Sequence, residues 1–101
     1  MGWADFAKRA LRDGESVKVK PRGHSMKGKV NDGDIVTLQP CIVAELAVGD
    51  IVLVRVHGND YLHLIKAIDG DRFLNGNNRG GVNGWVGANA LYGKAIQVGD
   101  S

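Results

Sequence analysis

The sequence predicts a compact, mainly antiparallel β domain with one short N-terminal helix. Three observations predict it. The apolar residues change period from 3.6 to 2 after Gly14. Fifteen glycines in 101 residues supply many tight turns, and hence many short strands. Two Gly-Asp pairs, at 33–34 and 49–50, each launch an apolar run. A chain of this length forms a single domain over residues 1–101 and buries about 65% of its unfolded surface.

The helix comes first, over residues 3–12. Trp3, Phe6, Ala7, Ala10 and Leu11 fall at i, i+3, i+4, i+7 and i+8, one apolar stripe, while Asp5, Lys8, Arg9 and Arg12 take the other face. Gly14 supplies the stop, with basic residues in the last turn. The β core then runs from about residue 16 to 98. Val17 and Val19 alternate with Lys18 and Lys20 in a strand that Pro21 ends. Residues 32–38 and 48–54 repeat one pattern, a Gly-Asp turn and then an apolar strand. His57-Gly58-Asn59-Asp60 reads as a hairpin turn between strands 51–56 and 61–68. Asp69-Gly70-Asp71 turns into a strand at Arg72-Phe73-Leu74. Residues 75–84 are rich in glycine and asparagine, which marks a surface loop or backbone packed close to something. Residues 91–98 form the last strand, with a bulge expected at Gly93.

Composition removes several functions. With 44% hydrophobic and 24% charged residues the chain has the make-up of a folded globule. Thirteen basic against eleven acidic residues give +2, too balanced to announce a nucleic-acid binder, and six aromatics do not supply a stacking platform. No apolar run reaches the ~20 residues of a membrane span, and no signal peptide is visible, so the expectation is a cytoplasmic protein without a membrane anchor. The single cysteine, Cys41, excludes an internal disulfide and suits a reducing compartment. Cys41 reads as a small core or loop residue. His24, His57, His63 and Cys41 show no zinc spacing, so no metal is expected. No cofactor is expected either, because the sequence has neither a Walker loop nor a dinucleotide fingerprint.

Nucleophilic catalysis is what remains. Ser25 follows a strand in a Gly-containing turn, where a serine can be exposed beside backbone N–H donors. The same pattern also suits a turn serine bonding its own backbone.

A family resemblance weighs between these. Gly23-His24-Ser25-Met26 followed by Gly33-Asp34-Ile35-Val36 resembles the GxSM…GDxV signature of the signal-peptidase and LexA-type serine peptidases. Val48-Gly49-Asp50-Ile51-Val52-Leu53-Val54 is similar to the family's second GDIVxV strand. Residues 63–78 resemble its base strand and the Gly-Asp-Asn turn after it, and Leu91-Tyr92-Gly93-Lys94-Ala95-Ile96 its closing strand. The resemblance covers about residues 17–98, in the family's order, and implies that family's partly barrel-like fold. It implies Ser25 as nucleophile and His63 as general base, as in the histidine-type signal peptidases, with Gly23, Met26 and Asn77 in oxyanion or orienting positions. Lys66 is the rival base, since the family often uses lysine, but strand parity sets 63 and 65 on one face and 66 on the other. A structural histidine bonded to backbone is the plainer reading of His63. The resemblance implies an extended peptide or protein as substrate, and the sequence leaves a homodimer open.

Three departures stand against that pattern. Gly76-Asn77-Asn78 replaces Gly-Asp-Asn, so the acid that would orient His63 is missing. Gly23 offers no hydroxyl to an oxyanion. The membrane anchor or DNA-reading domain found in relatives is not expected here, and no Ala-Gly site for self-cleavage is present. The alternative to a peptidase is therefore a catalytically impaired relative that binds a peptide or protein.

Overall fold

The computed structural model describes residues 3–21, 28–31, 33–78 and 80–99, without the side chain of Trp3. Helix α1 spans Trp3–Arg12. Among the described residues seven strands follow: β1 (Val17–Val19), β2 (Ile35–Gln39), β3 (Ile51–Val56), β4 (Asn59–Asp69), β5 (Arg72–Gly76), β6 (Val82–Gly87) and β7 (Leu91–Gly99). Short 3-10 turns at Val43–Glu45 and Ala88–Ala90 interrupt the connections before β3 and β7.

Helix α1 ends as its sequence predicts. Gly14 adopts a left-handed φ of 82°, Glu15 N–H donates to Ala10 C=O at 3.0 Å, and Gly14 N–H donates to Leu11 C=O at 3.1 Å. These two bonds make a Schellman closure, which needs the glycine because a Cβ is disfavoured at that φ. The buried stripe is Ala4, Ala7 and Leu11, whereas Phe6 is 70% exposed. The expectation that Phe6 faces the core is thus corrected. Small alanines at 4 and 7 let the helix sit close on the sheet, and a phenylalanine next to Ala7 turns away from that contact.

The two Gly-Asp repeats fold alike. Asp34 N–H donates to Asn31 C=O at 3.0 Å, and Asp50 N–H to Ala47 C=O at 3.1 Å. Gly33 and Gly49 hold φ of 89° and 97°, the third position of a type II turn. The aspartate then reaches back: Asp34 Oδ2 accepts the Asn31 N–H, and Asp50 Oδ2 the Ala47 N–H, both at 2.9 Å. The Gly-Asp pair therefore supplies both the positive φ and the side-chain acceptor that close the turn ahead of each strand.

The strands form one sheet, antiparallel throughout, in the order β1-β2-β7-β3-β4-β5-β6. The chain's last strand lies between β2 and β3 and joins the two halves of the sheet. The hairpin from β3 to β4 turns on His57 and Gly58, both at positive φ (51° and 82°), in the two-residue form whose twist suits paired strands. No pairing among the described residues joins β1 to β6, so the sheet is open rather than closed into a barrel.

Only the middle of residues 75–84 is a connection between strands. Asn75 and Gly76 complete β5, and residues 82–84 start β6, an edge strand not expected from the sequence because glycine and asparagine are poor strand formers. Backbone packed close, the other expectation for this stretch, describes Gly76: a Cβ there would lie 2.1 Å from the Gly81 carbonyl oxygen.

Apolar residues fill both faces. On one, α1 packs over Val17, Val19, Val36, Leu38, Leu53, Leu62 and Leu64. On the other, Val43 and Leu46 from the β2–β3 connection cover Val52, Val54, Val56, Ile65 and Phe73. Strand β3 is buried on both sides, which is why its sequence is a nearly unbroken apolar run. Register shifts occur in four of the six strand pairs, and each bulge adds local bend and twist. One lies beside Gly93 as predicted, with Tyr92 as the extra residue. Among the described residues no helix is long and apolar enough to cross a membrane.

Candidate functional site

The site is built across four neighbouring strands, on the face away from α1. His63 in β4 lies directly opposite Val52 of β3. In β5, Asn75 lies opposite Ile65, one step along the same face from His63, and Gly84 of β6 lies opposite Asn75. The row therefore reads Val52, His63, Asn75, Gly84. A bulge makes it possible. Counted back from the Gly70-Asp71 turn, Ala67 pairs with Leu74, but Ile65 pairs with Asn75. Lys66 is the extra residue, and its insertion brings Asn75 onto the side of the sheet that His63 occupies.

The polar contacts within the row are short. His63 Nδ1 lies 2.8 Å from Asn75 Oδ1, and Asn75 Nδ2 donates to the Gly84 carbonyl at 2.9 Å. The imidazole stacks on Tyr61, with ring centroids 4.7 Å apart and planes 8° from parallel. Both polar residues are buried, His63 at 2% exposure and Asn75 at 0%. Burial holds the His63 pKa below its ordinary value of 6.5, and the hydrogen bond to Asn75 offsets only part of that. His63 is consequently neutral at pH 7, the form in which an imidazole can accept a proton.

Gly23, His24, Ser25 and Met26 lie outside the described residues. The chain resumes at Gly28, where a Cβ would lie 3.1 Å from the Asn78 side-chain nitrogen. Gly28 thus lies against the turn of the β5–β6 hairpin, the hairpin that holds Asn75.

Asn77 is not the residue that bonds the His63 ring. Its side-chain oxygen accepts the Gly81 N–H at 2.8 Å, and its own N–H donates to the Gly81 carbonyl at 3.0 Å. The side chain that meets the His63 ring is that of Asn75, while Asn77, expected in an orienting position, bonds Gly81. Asn75 has no place in the sequence expectation, because the resemblance sets the orienting position at Asn77. Strand parity counted from the turn would also put Asn75 on the opposite face, and only the bulge at Lys66 reverses that. The signal that could have found it is chemical: an asparagine inside a run that buries Phe73. Lys66 stands apart from His63, with its stem over the Gly76 backbone (Cε 3.1 Å from a Cβ built there), on the face of Leu64. His57 is an exposed turn residue.

Among the described residues no three of His, Cys, Asp and Glu come together as a metal site. Cys41 is half-buried beside the second core, and burial pushes its thiol up to about 11, so it carries little thiolate at neutral pH. Compared with protein-family models the chain matches none, and no curated protein matches it significantly.

Proposed function

We propose that this chain is a serine peptidase-like domain of the signal-peptidase and LexA-like type, cutting an extended peptide. Ser25 is the nucleophile and His63 the base. His63 Nε2 takes the Ser25 hydroxyl proton as Oγ attacks the peptide carbonyl. The resulting imidazolium returns that proton to the leaving amine, and water completes the second half by the same route. In this reading the Ser25 backbone N–H would hold the oxyanion. One observation carries the reading: at the position the resemblance assigns to the base stands a histidine that is buried, held below its ordinary pKa and anchored through Nδ1. A histidine that served only to fill the core would be a costly choice there, since the surrounding face is Val52, Ile65 and Phe73. With a single, free cysteine, a cytoplasmic setting suits the chain.

The second reading, a peptide- or protein-binding module, is favoured by the uncharged nature of the His63 partner. Asn75 orients the ring but gives no charge to stabilise an imidazolium. The two are separated by incubating the chain with a library of extended peptides and identifying the products by mass spectrometry. Turnover that disappears in both Ser25→Ala and His63→Ala, with unchanged circular dichroism, supports the peptidase. Cleavage that persists in Ser25→Ala refutes it. Peptide binding that is equal in the parent and Ser25→Ala, with no product from either, establishes the binding module.

A further inference from the structure

We propose that Asn75 is the positioning residue of this site: its side-chain amide, pinned by the Gly84 carbonyl, holds the neutral His63 ring with its proton on Nδ1 and its lone pair on Nε2. The inference rests on the reading of His63 as general base. It follows from which atoms can donate. A carbonyl oxygen only accepts, so the atom 2.9 Å from the Gly84 oxygen must be the amide nitrogen of Asn75. Turning the amide over would press two oxygens together and lose that bond. The side-chain oxygen of Asn75 is therefore the atom 2.8 Å from His63 Nδ1, and it too only accepts. Nδ1 must carry the hydrogen. A neutral imidazole has one N–H, so Nε2 is left as the proton acceptor.

Free histidine in water prefers the other tautomer, with hydrogen on Nε2. Here the fold imposes the reverse, and it fixes the ring in two independent ways. The stack on Tyr61 sets the plane of the imidazole, and Asn75 sets its rotation within that plane. Asn75 is itself held through backbone, since Gly84 lies opposite it in the β5–β6 ladder. An aspartate could not make the same pair of contacts. Its second oxygen would face the Gly84 carbonyl, and its charge would sit in a position with no exposure to water. An amide orients the ring without that cost, and forgoes the charge that would stabilise an imidazolium.

The test reads the tautomer directly, by long-range proton–nitrogen correlation NMR on the nitrogen-15-labelled full chain at neutral pH. His57, exposed in its turn, serves as the internal reference, and a His63→Gln variant assigns the signal. The expected spectrum shows His63 Nδ1 protonated and Nε2 bare. In Asn75→Ala the ring should shift toward the Nε2–H form, and kcat for peptide cleavage should fall about 10- to 100-fold with KM within about twofold. A parent protein with hydrogen on Nε2 overturns the proposal, and this measurement needs no variant to fold. A folded Asn75→Ala that keeps the Nδ1–H form overturns it as well. If the tautomer behaves as expected but no peptide is ever cut, the peptidase reading fails while the hold of Asn75 on the ring stands.

Discussion

Replacing Gly76 with alanine would pry open the hairpin that carries the histidine's partner. A Cβ at this position would lie 2.1 Å from the Gly81 carbonyl oxygen. Carbon approaches a carbonyl oxygen to about 3.3 Å, so β5 and β6 must separate locally by about 1.2 Å. The other close atom, Lys66 Cε, can swing away, but the carbonyl cannot move without breaking its own bonds. Gly81 O accepts the Asn77 N–H at 3.0 Å, and Gly81 N–H donates to Asn77 Oδ1 at 2.8 Å. Losing both, at a net 0.5–1.5 kcal/mol each, costs about 2 kcal/mol. In a domain of this size that lowers Tm by about 8–16 °C. Gly87→Ala is the control in the same hairpin, because Gly87 has an ordinary φ of −106° and a Cβ there meets nothing within 4 Å. It should stay within about 0.5 kcal/mol of the parent. Guanidinium unfolding followed by tryptophan fluorescence, with Trp85 in β6 as a local probe, measures both variants. Since Asn75 precedes Gly76, the His63 resonances should move in Gly76→Ala and not in the control. If Gly76→Ala unfolds within 0.5 kcal/mol of the parent, the hairpin is not closed in the way these distances require.

Three further outcomes are expected. Because folding lowers the His63 pKa, the unfolded chain binds the extra proton first. Stability should therefore be full above about pH 6.5 and decline as pH falls from there through the folded pKa, and His63→Gln should flatten that decline in calorimetric scans. Lys8 of α1 donates to Asp60 of β4 at 2.7 Å, and that bond raises the Lys8 pKa. Asp60 Oδ1 is buried without a partner among the described residues, so Lys8→Met should cost more than Asp60→Asn, with a coupling of about 1 kcal/mol in a double-mutant cycle. Equal losses from the two single changes would contradict this. Cys41, with its thiol near 11 against an ordinary 9.0, should react with a thiolate-specific disulfide reagent about 100-fold more slowly than a free thiol at pH 8. Labelling at the free-thiol rate would show that Cys41 is not held as described.

Much of this fold is legible in the chain itself, because its signals are local. The span of α1, its Gly14 stop, the two Gly-Asp turns and the His57-Gly58 hairpin each depend on residues within one or two turns of backbone. A positive φ, a nearby carboxylate acceptor or an apolar period can be read without knowing what lies across the molecule. The face of His63 is legible in the same way, from its alternation with Lys66 and its shared side with Ile65. Its parity with Ile65 survives in the structure.

What sequence could not supply is everything set by pairing between strands. The face on which Asn75 lies depends on one extra residue at Lys66, and a bulge leaves no mark in a short apolar run. Strand β6 has few strand-forming residues and exists because β5 offers it an edge to pair with. Phe6 faces outward because the sheet accepts the small side chains of Ala4 and Ala7, and helical periodicity alone does not distinguish those two sides. By itself, then, the sequence determined which residues turn, which strands are apolar and that His63 shares a face with Ile65. Tertiary structure decided the register, and with it that Asn75 rather than Asn77 meets the ring. The physical reason is that turns and periods are properties of neighbouring dihedrals, whereas register is chosen by the sum of contacts across the whole sheet.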